Sequence, residues 1–129
     1  MALGYVTTLR NSRLDEITTA ISTSGVLRVY SGTQPATGGA ETTQLCELAL
    51  TATAAPAASG GVLTFSAISD DTNADASGTP TWARLQTSAF AAVVDMTAGV
   101  GSGDLNFNAA IVITGTVSVS SLVITDGTP

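Results

Sequence analysis

Residues 26–50 read VLRVYSGTQPATGGAETTQLCELAL. The first five alternate in side-chain direction, with Leu27 and Val29 on one face and Arg28 and Tyr30 on the other, the period-two pattern of a half-buried strand. Ser31-Gly32-Thr33-Gln34-Pro35 breaks the run, and Gly38-Gly39 closes the loop that follows. Alternation resumes at Leu45-Cys46-Glu47-Leu48-Ala49-Leu50, which puts Cys46, Leu48 and Leu50 on one face. Two alternating runs separated by a Gly/Pro loop predict two strands. If Leu27 and Val29 point to the core, Arg28 and Tyr30 face out.

The pattern repeats toward the end of the chain. Residues 62–68 (VLTFSAI), 81–86 (TWARLQ) and 92–96 (AVVDM) read as strands, and the short link at Thr87-Ser88 predicts a hairpin between the last two. Leu105 and Phe107 alternate with Asn106 and Asn108. Ile111-Val112-Ile113, Val117-Ser118-Val119 and Leu122-Val123-Ile124 complete the set, with a shift of apolar phase that predicts a bulge at Ser120-Ser121. On the N-terminal side, Leu14, Ile17 and Ile21 recur at helical spacing, extended by Leu9 and Ala20, which predicts one amphipathic helix over residues 8–22. Thr8 or Asn11 would cap its start, Ser12 with Asp15 would form a capping box, and Gly25 would mark its end. About eight short strands at near-regular spacing predict a mainly β fold, an antiparallel β-sandwich or a jelly-roll-like barrel, with one short N-terminal helix. The expected layout is a single domain over 1–129: an arm at 1–7, the helix at 8–22, the β body at 26–125 and a frayed tail at 126–129.

Composition narrows the function. The 129 residues are 44% hydrophobic but only 11% charged, with a net charge of −6. A soluble monomer carries more charge than this, so part of the surface is expected to be covered by partner subunits. The cations are Arg10, Arg13, Arg28 and Arg84, with no Lys and no His, too few for a groove that tracks phosphates. Neither nucleic acid nor an anionic membrane is an expected partner. The start, Met1-Ala2-Leu3-Gly4-Tyr5, shows neither the basic nor the long apolar region of a signal peptide, and no apolar run is long enough to span a bilayer. One cysteine, Cys46, excludes an intrachain disulfide.

The search for chemistry returns little, and no enzyme is expected. Without His or Lys, Ser–His, Cys–His and Ser–Lys arrangements cannot be built, nor can a Schiff base or a P-loop lysine. Cys46, on an alternating strand, reads as a small buried hydrophobe. Asp71-x-Asn73-x-Asp75-x-Ser77 resembles the opening of a calcium loop, but lacks the mid-loop glycine and has Trp82 where a closing Glu would stand. It reads instead as a solvated turn. Gly99-x-Gly101-x-Gly103 opens no helix and reads as a loop between strands. Asp70, Asp71 and Asp75 lie on one short loop, and only Trp82 is close enough in sequence to supply the aromatics of a sugar cleft. No catalytic residue, metal ligand or cofactor is assigned. What remains is contact surface: Leu3, Tyr5, Arg10, Arg28, Tyr30, Trp82 and Arg84. Trp and Arg are enriched at binding hot spots, although the first reading of Trp82 is a core anchor.

The order of features resembles small virion structural proteins of tailed bacteriophages. The resemblance is carried by Met1-Ala2-Leu3 leading into the helix at 8–22 and by the segments at 27–36 (LRVYSGTQPA), 45–48 (LCEL), 57–63 (AASGGVL), 75–84 (DASGTPTWAR), 104–108 (DLNFN) and 117–124 (VSVSSLVI). It implies a sandwich or jelly-roll-like body assembled on a virion after synthesis in the host bacterial cytoplasm, and it names no catalytic residues. The first expectation is a capsid decoration or cement protein, a dimer or trimer bound to the major capsid protein. A tail or neck adaptor or fibre-base component is the alternative, and a receptor- or carbohydrate-binding module is a further one.

Overall fold

The computed structural model describes residues 3–127, in the order α1 (Thr7–Ile21), β1 (Val26–Ser31), β2 (Thr43–Ala49), β3 (Val62–Thr64), β4 (Trp82–Gln86), β5 (Ala92–Val100), β6 (Leu105–Phe107) and β7 (Val123–Thr125). Met1 and Ala2 of the expected arm, and Thr128 and Pro129 of the expected tail, lie outside the described residues. β1 sits inside a five-stranded sheet of order β2-β1-β4-β5-β6, while β3 and β7 form a separate two-stranded sheet. Leu27 and Val29 of β1, Leu85 of β4, Leu63 of β3, and Leu14 and Ile21 of α1 are all buried in one hydrophobic cluster. Both sheets and the helix therefore share a core.

The sequence pattern locates most of these elements. The helix begins at Thr7, not at residue 8, and buries Leu14 and Ile21, while Leu9 and Ala20 are exposed. Its N-cap is Val6, with no side-chain capping bond. The polar residues expected to cap the helix bind the turn beside it instead: Asn11 Oδ1 accepts from Gly61 N–H at 2.8 Å, and Asp15 Oδ1 accepts from Ala58 N–H at 2.7 Å. Gly25 serves close approach rather than a left-handed cap. A Cβ there would meet Ile21 and lie 2.6 Å from the Gln86 carbonyl oxygen. The left-handed positions after the helix are Ser22 and Ser24.

The antiparallel expectation fails at one place. β5 and β6 pair in parallel, with Ala98 opposite Leu105 and Val100 opposite Phe107, although parallel neighbours ordinarily need a crossover of a dozen residues or more. The glycine loop makes the short return possible. Gly101 and Gly103 have φ of +74° and +85°, and a Cβ on Gly103 would fall 2.8 Å from the Ala98 carbonyl carbon. Asp104 then fixes the return by accepting from the Thr97 hydroxyl at 2.9 Å.

The described strands number seven rather than eight, because residues 111–119 join no ladder. Gly115 N–H donates to Val112 O and Thr114 takes a left-handed φ, so the apolar run turns back on itself. It is held by single bridges, Gly78 to Ile111 and Asp71 to Val117. The expected phase shift is present as burial: Val117, Val119 and Leu122 are buried and Ser118, Ser120 and Ser121 exposed. The ladder bulges lie elsewhere, where Leu45 is the extra residue beside Val29 and Val93 the extra residue beside Leu85. The bulge explains why Leu45 and Cys46, neighbours in sequence, are both buried.

Candidate interaction surfaces

Register decides the chemistry of the sheet face turned away from the core. Arg28 of β1 stands opposite Glu47 of β2 and Arg84 of β4, and Arg84 stands opposite Asp95 of β5. The result is a transverse row of four charges, acid–base–base–acid. Like charges directly opposite on neighbouring strands are destabilising, and two devices offset that here. Each arginine has a carboxylate on its far side: Arg28 Nε donates to Glu47 Oε2 at 2.8 Å, and Arg84 donates to both Asp95 oxygens, Nε at 2.6 Å and Nη2 at 3.0 Å. The Glu41 carboxylate also reaches both arginines, 3.7 Å from Arg28 Nη1 and 3.9 Å from Arg84 Nη1.

Glu41 comes from the segment 32–42, which joins β1 to β2 and folds over this face as a strap. Arg84 Nη2 donates to Gly39 O at 2.9 Å, Gly38 N–H donates to Asp95 Oδ2 at 2.9 Å, and Gln86 Nε2 donates to Glu41 Oε1 at 2.7 Å. Trp82 Nε1 donates to Thr42 Oγ1 at 2.9 Å. Beneath the strap the Tyr30 and Trp82 rings stack, 4.2 Å between centroids and 14° between planes. The Phe90 ring, on the β4–β5 turn, lies 3.8 Å from the Arg28 guanidinium carbon.

The expectation that Arg28 and Tyr30 face out is therefore corrected. They do leave the core side, but the strap and the Phe90 turn cover them. Tyr30 and Trp82 are fully buried, Arg84 is buried, and the Arg28 side chain is only 14% exposed. Four of the seven expected contact residues belong to an internal polar network in this conformation. The remaining three lie around the helix start: Leu3 and Tyr5 are exposed, with Arg13 stacked on the Tyr5 ring, and Arg10 is half-buried, its Nη1 donating to Asp126 O at 2.9 Å.

Electrostatics follow the geometry. The Arg84 guanidinium holds the Asp95 carboxyl below the usual aspartate range, and the Gly38 N–H adds to this against the opposing effect of burial. Burial pushes the Tyr30 phenol up, and its hydroxyl has no hydrogen bond of good geometry although Glu41 and Arg28 are close. Among the described residues Gln86 Oε1 is likewise buried without a partner. Burial pushes the Cys46 thiol up to about 12, with Asp71 and Asp75 adding to it, which keeps the sulfur from acting as a thiolate.

The acidic loop is built as a turn. Asp71 accepts from Asn73 N–H and Glu47 N–H, and Asp75 accepts from the Gln44 amide at 2.7 Å. Among the described residues no group of three His, Cys, Asp or Glu could hold a metal ion, and no helix is long and apolar enough to cross a membrane. Sequence reasoning missed Glu41, Glu47 and Asp95. The available signal was the loop between β1 and β2, far longer than the two to five residues that usually join a hairpin. Comparison with protein-family models, with curated proteins and with solved structures finds no match to this chain.

Proposed function

We propose that this chain is a structural subunit that works by assembly, a virion protein of a tailed phage that decorates the capsid by binding the major capsid protein. The body is read as sandwich-like, the β3–β7 pair closing over the core side of the five-stranded sheet. The observation that carries the reading is where apolar side chains meet solvent. Leu3, Tyr5, Val6 and Leu9 are exposed together at the start of the helix, and Val112 and Ile113 at the turn of the 111–115 segment, 65% and 52% exposed. Clustered exposed apolar residues mark protein–protein contact, and many copies on a lattice need only modest affinity each. A sugar-binding module draws less support, because Tyr30 and Trp82, although stacked, are sealed beneath the strap.

The test is the copy number in purified particles, measured by quantitative mass spectrometry against the major capsid protein. A ratio of one, or a simple fraction of it, is expected. Copies in the tens or below would move the protein to the neck or tail, and absence from particles would overturn the virion reading.

A further inference from the structure

The two edges of the five-stranded sheet are finished differently. At β2 the edge is covered: Asp75 N–H donates to Leu45 O at 2.8 Å, Ser69 N–H to Ala49 O at 3.0 Å, and Asp71 Oδ2 accepts from Glu47 N–H at 3.0 Å. At β6 it is open. Gly101 N–H donates to Phe107 O, so Phe107 turns its main-chain groups toward β5, and Asn106, one residue back, turns its N–H and C=O the other way. Beyond that edge lies a cleft of about 450 Å³ whose far wall is residues 118–121. Burial alternates from Val117 to Ser120, and among the described residues the main chain of 118–121 makes no main-chain hydrogen bond. Phe107 and Val119 supply apolar surface from either side. Unpaired strand edges are templates for an added strand.

The same chain carries a segment suited to that cleft. Residues 3–6 precede the helix and belong to no ladder, and Leu3, Tyr5 and Val6 are exposed, Val6 at 72%. Charge favours the same match. Arg28 and Arg84 are consumed by the internal network and Arg10 is half-buried against Asp126 O, so the cation left at the surface near this segment is Arg13, half exposed beside its ion pair with Asp126, while exposed Asp104 lines the cleft. We propose that the cleft between β6 and residues 118–121 receives residues 3–6 of a second copy as an added strand. This rests on the assembly reading and specifies its self-contact. Donor and acceptor are different surfaces, so the contact is head-to-tail and repeats around a ring or along a filament.

The test uses the full chain and a Leu3→Asp/Tyr5→Asp variant, both substitutions at exposed positions. Light scattering after size exclusion, up to millimolar concentration, gives the mass of each. The wild type is expected to be oligomeric and the variant monomeric, with unchanged far-ultraviolet circular dichroism. A synthetic peptide of residues 2–9 added to the variant is expected to shift amide resonances at 104–108 and 118–121. A wild type that stays monomeric overturns the proposal, whatever the peptide does. An oligomer that survives the double substitution, or peptide shifts elsewhere, also overturns it while leaving self-assembly standing. Virion membership is decided separately by the particle copy number.

Discussion

The Arg84–Asp95 pair is bidentate, and its side chains are only 4% and 1% exposed. Its role is best judged by what removing one partner would leave. Asp95→Asn keeps the shape but takes the bidentate carboxylate from a buried guanidinium, leaving it Gly39 O and the more distant Glu41 carboxylate, and breaking a buried pair in this way costs about 3–5 kcal/mol. Urea denaturation is expected to show a loss in that range. The pH dependence has a definite sign. The folded Asp95 carboxyl lies below its unfolded value of about 3.9. Its stabilisation is therefore complete above the unfolded value and is lost as pH falls through the folded one. Thermal melts of wild type and Asp95→Asn, taken from neutral pH downward, should differ most at neutral pH and converge in acid. A gap that stayed constant to strong acid would assign the loss to shape rather than charge.

At the scale of elements, the strap differs from everything else that covers buried surface. Residues 32–42 contain no apolar side chain larger than proline, so closure depends on the polar ties to Arg84, Asp95, Gln86 and Trp82. The closed state also leaves Tyr30 Oη and Gln86 Oε1 without partners among the described residues, at about 1–3 kcal/mol for each buried polar group left unsatisfied. Native-state hydrogen exchange should therefore find residues 33–41 opening locally, with little dependence on denaturant, while β1 and β4 exchange only through global unfolding. Glu41→Gln, which leaves Arg28 and Arg84 facing one another without the intervening charge, should speed that local exchange further. The strap also shows where the sequence is legible and where it is not. Alternation identified β1 and β2 and the faces of their side chains, because period two is a local property. It could not show that the face opposite the core would be covered, since the cover comes from a loop with no pattern and meets partners on β4 and β5. The helix caps were misread for the same reason: Asn11 and Asp15 are spent on the turn at 58–61, a contact that spacing within the helix cannot reveal. In the glycine loop the residues themselves were conspicuous, but the parallel return they permit depends on how closely Gly103 passes Ala98.

Across the whole molecule, the chain is closed by pairings between distant segments. β1 pairs with β4 across more than fifty residues, and β3 waits for β7 at the far end of the chain. The N-terminal helix is tied to that end as well: Arg10 donates to Asp126 O, and Arg13 forms an ion pair with the Asp126 carboxylate at 3.2 Å. Long-range closure of this kind makes folding slow, on the millisecond-to-second scale, and the last strand is expected to belong to the cooperative unit. Two changes at the C-terminal end should consequently behave very differently. Asp126→Ala removes an ion pair whose arginine is half exposed and leaves the main-chain acceptor of Arg10 in place, so the loss should be within about 1 kcal/mol. Deleting residues 122–129 removes buried Leu122, the partner strand of β3 and the acceptor of Arg10 together. Circular dichroism melts should retain one sharp transition in the first variant and show none in the second. A sharp melt in the truncated chain would mean that the five-stranded sheet with its strap folds as an independent unit, and that the β3–β7 pair and the helix dock onto it afterwards.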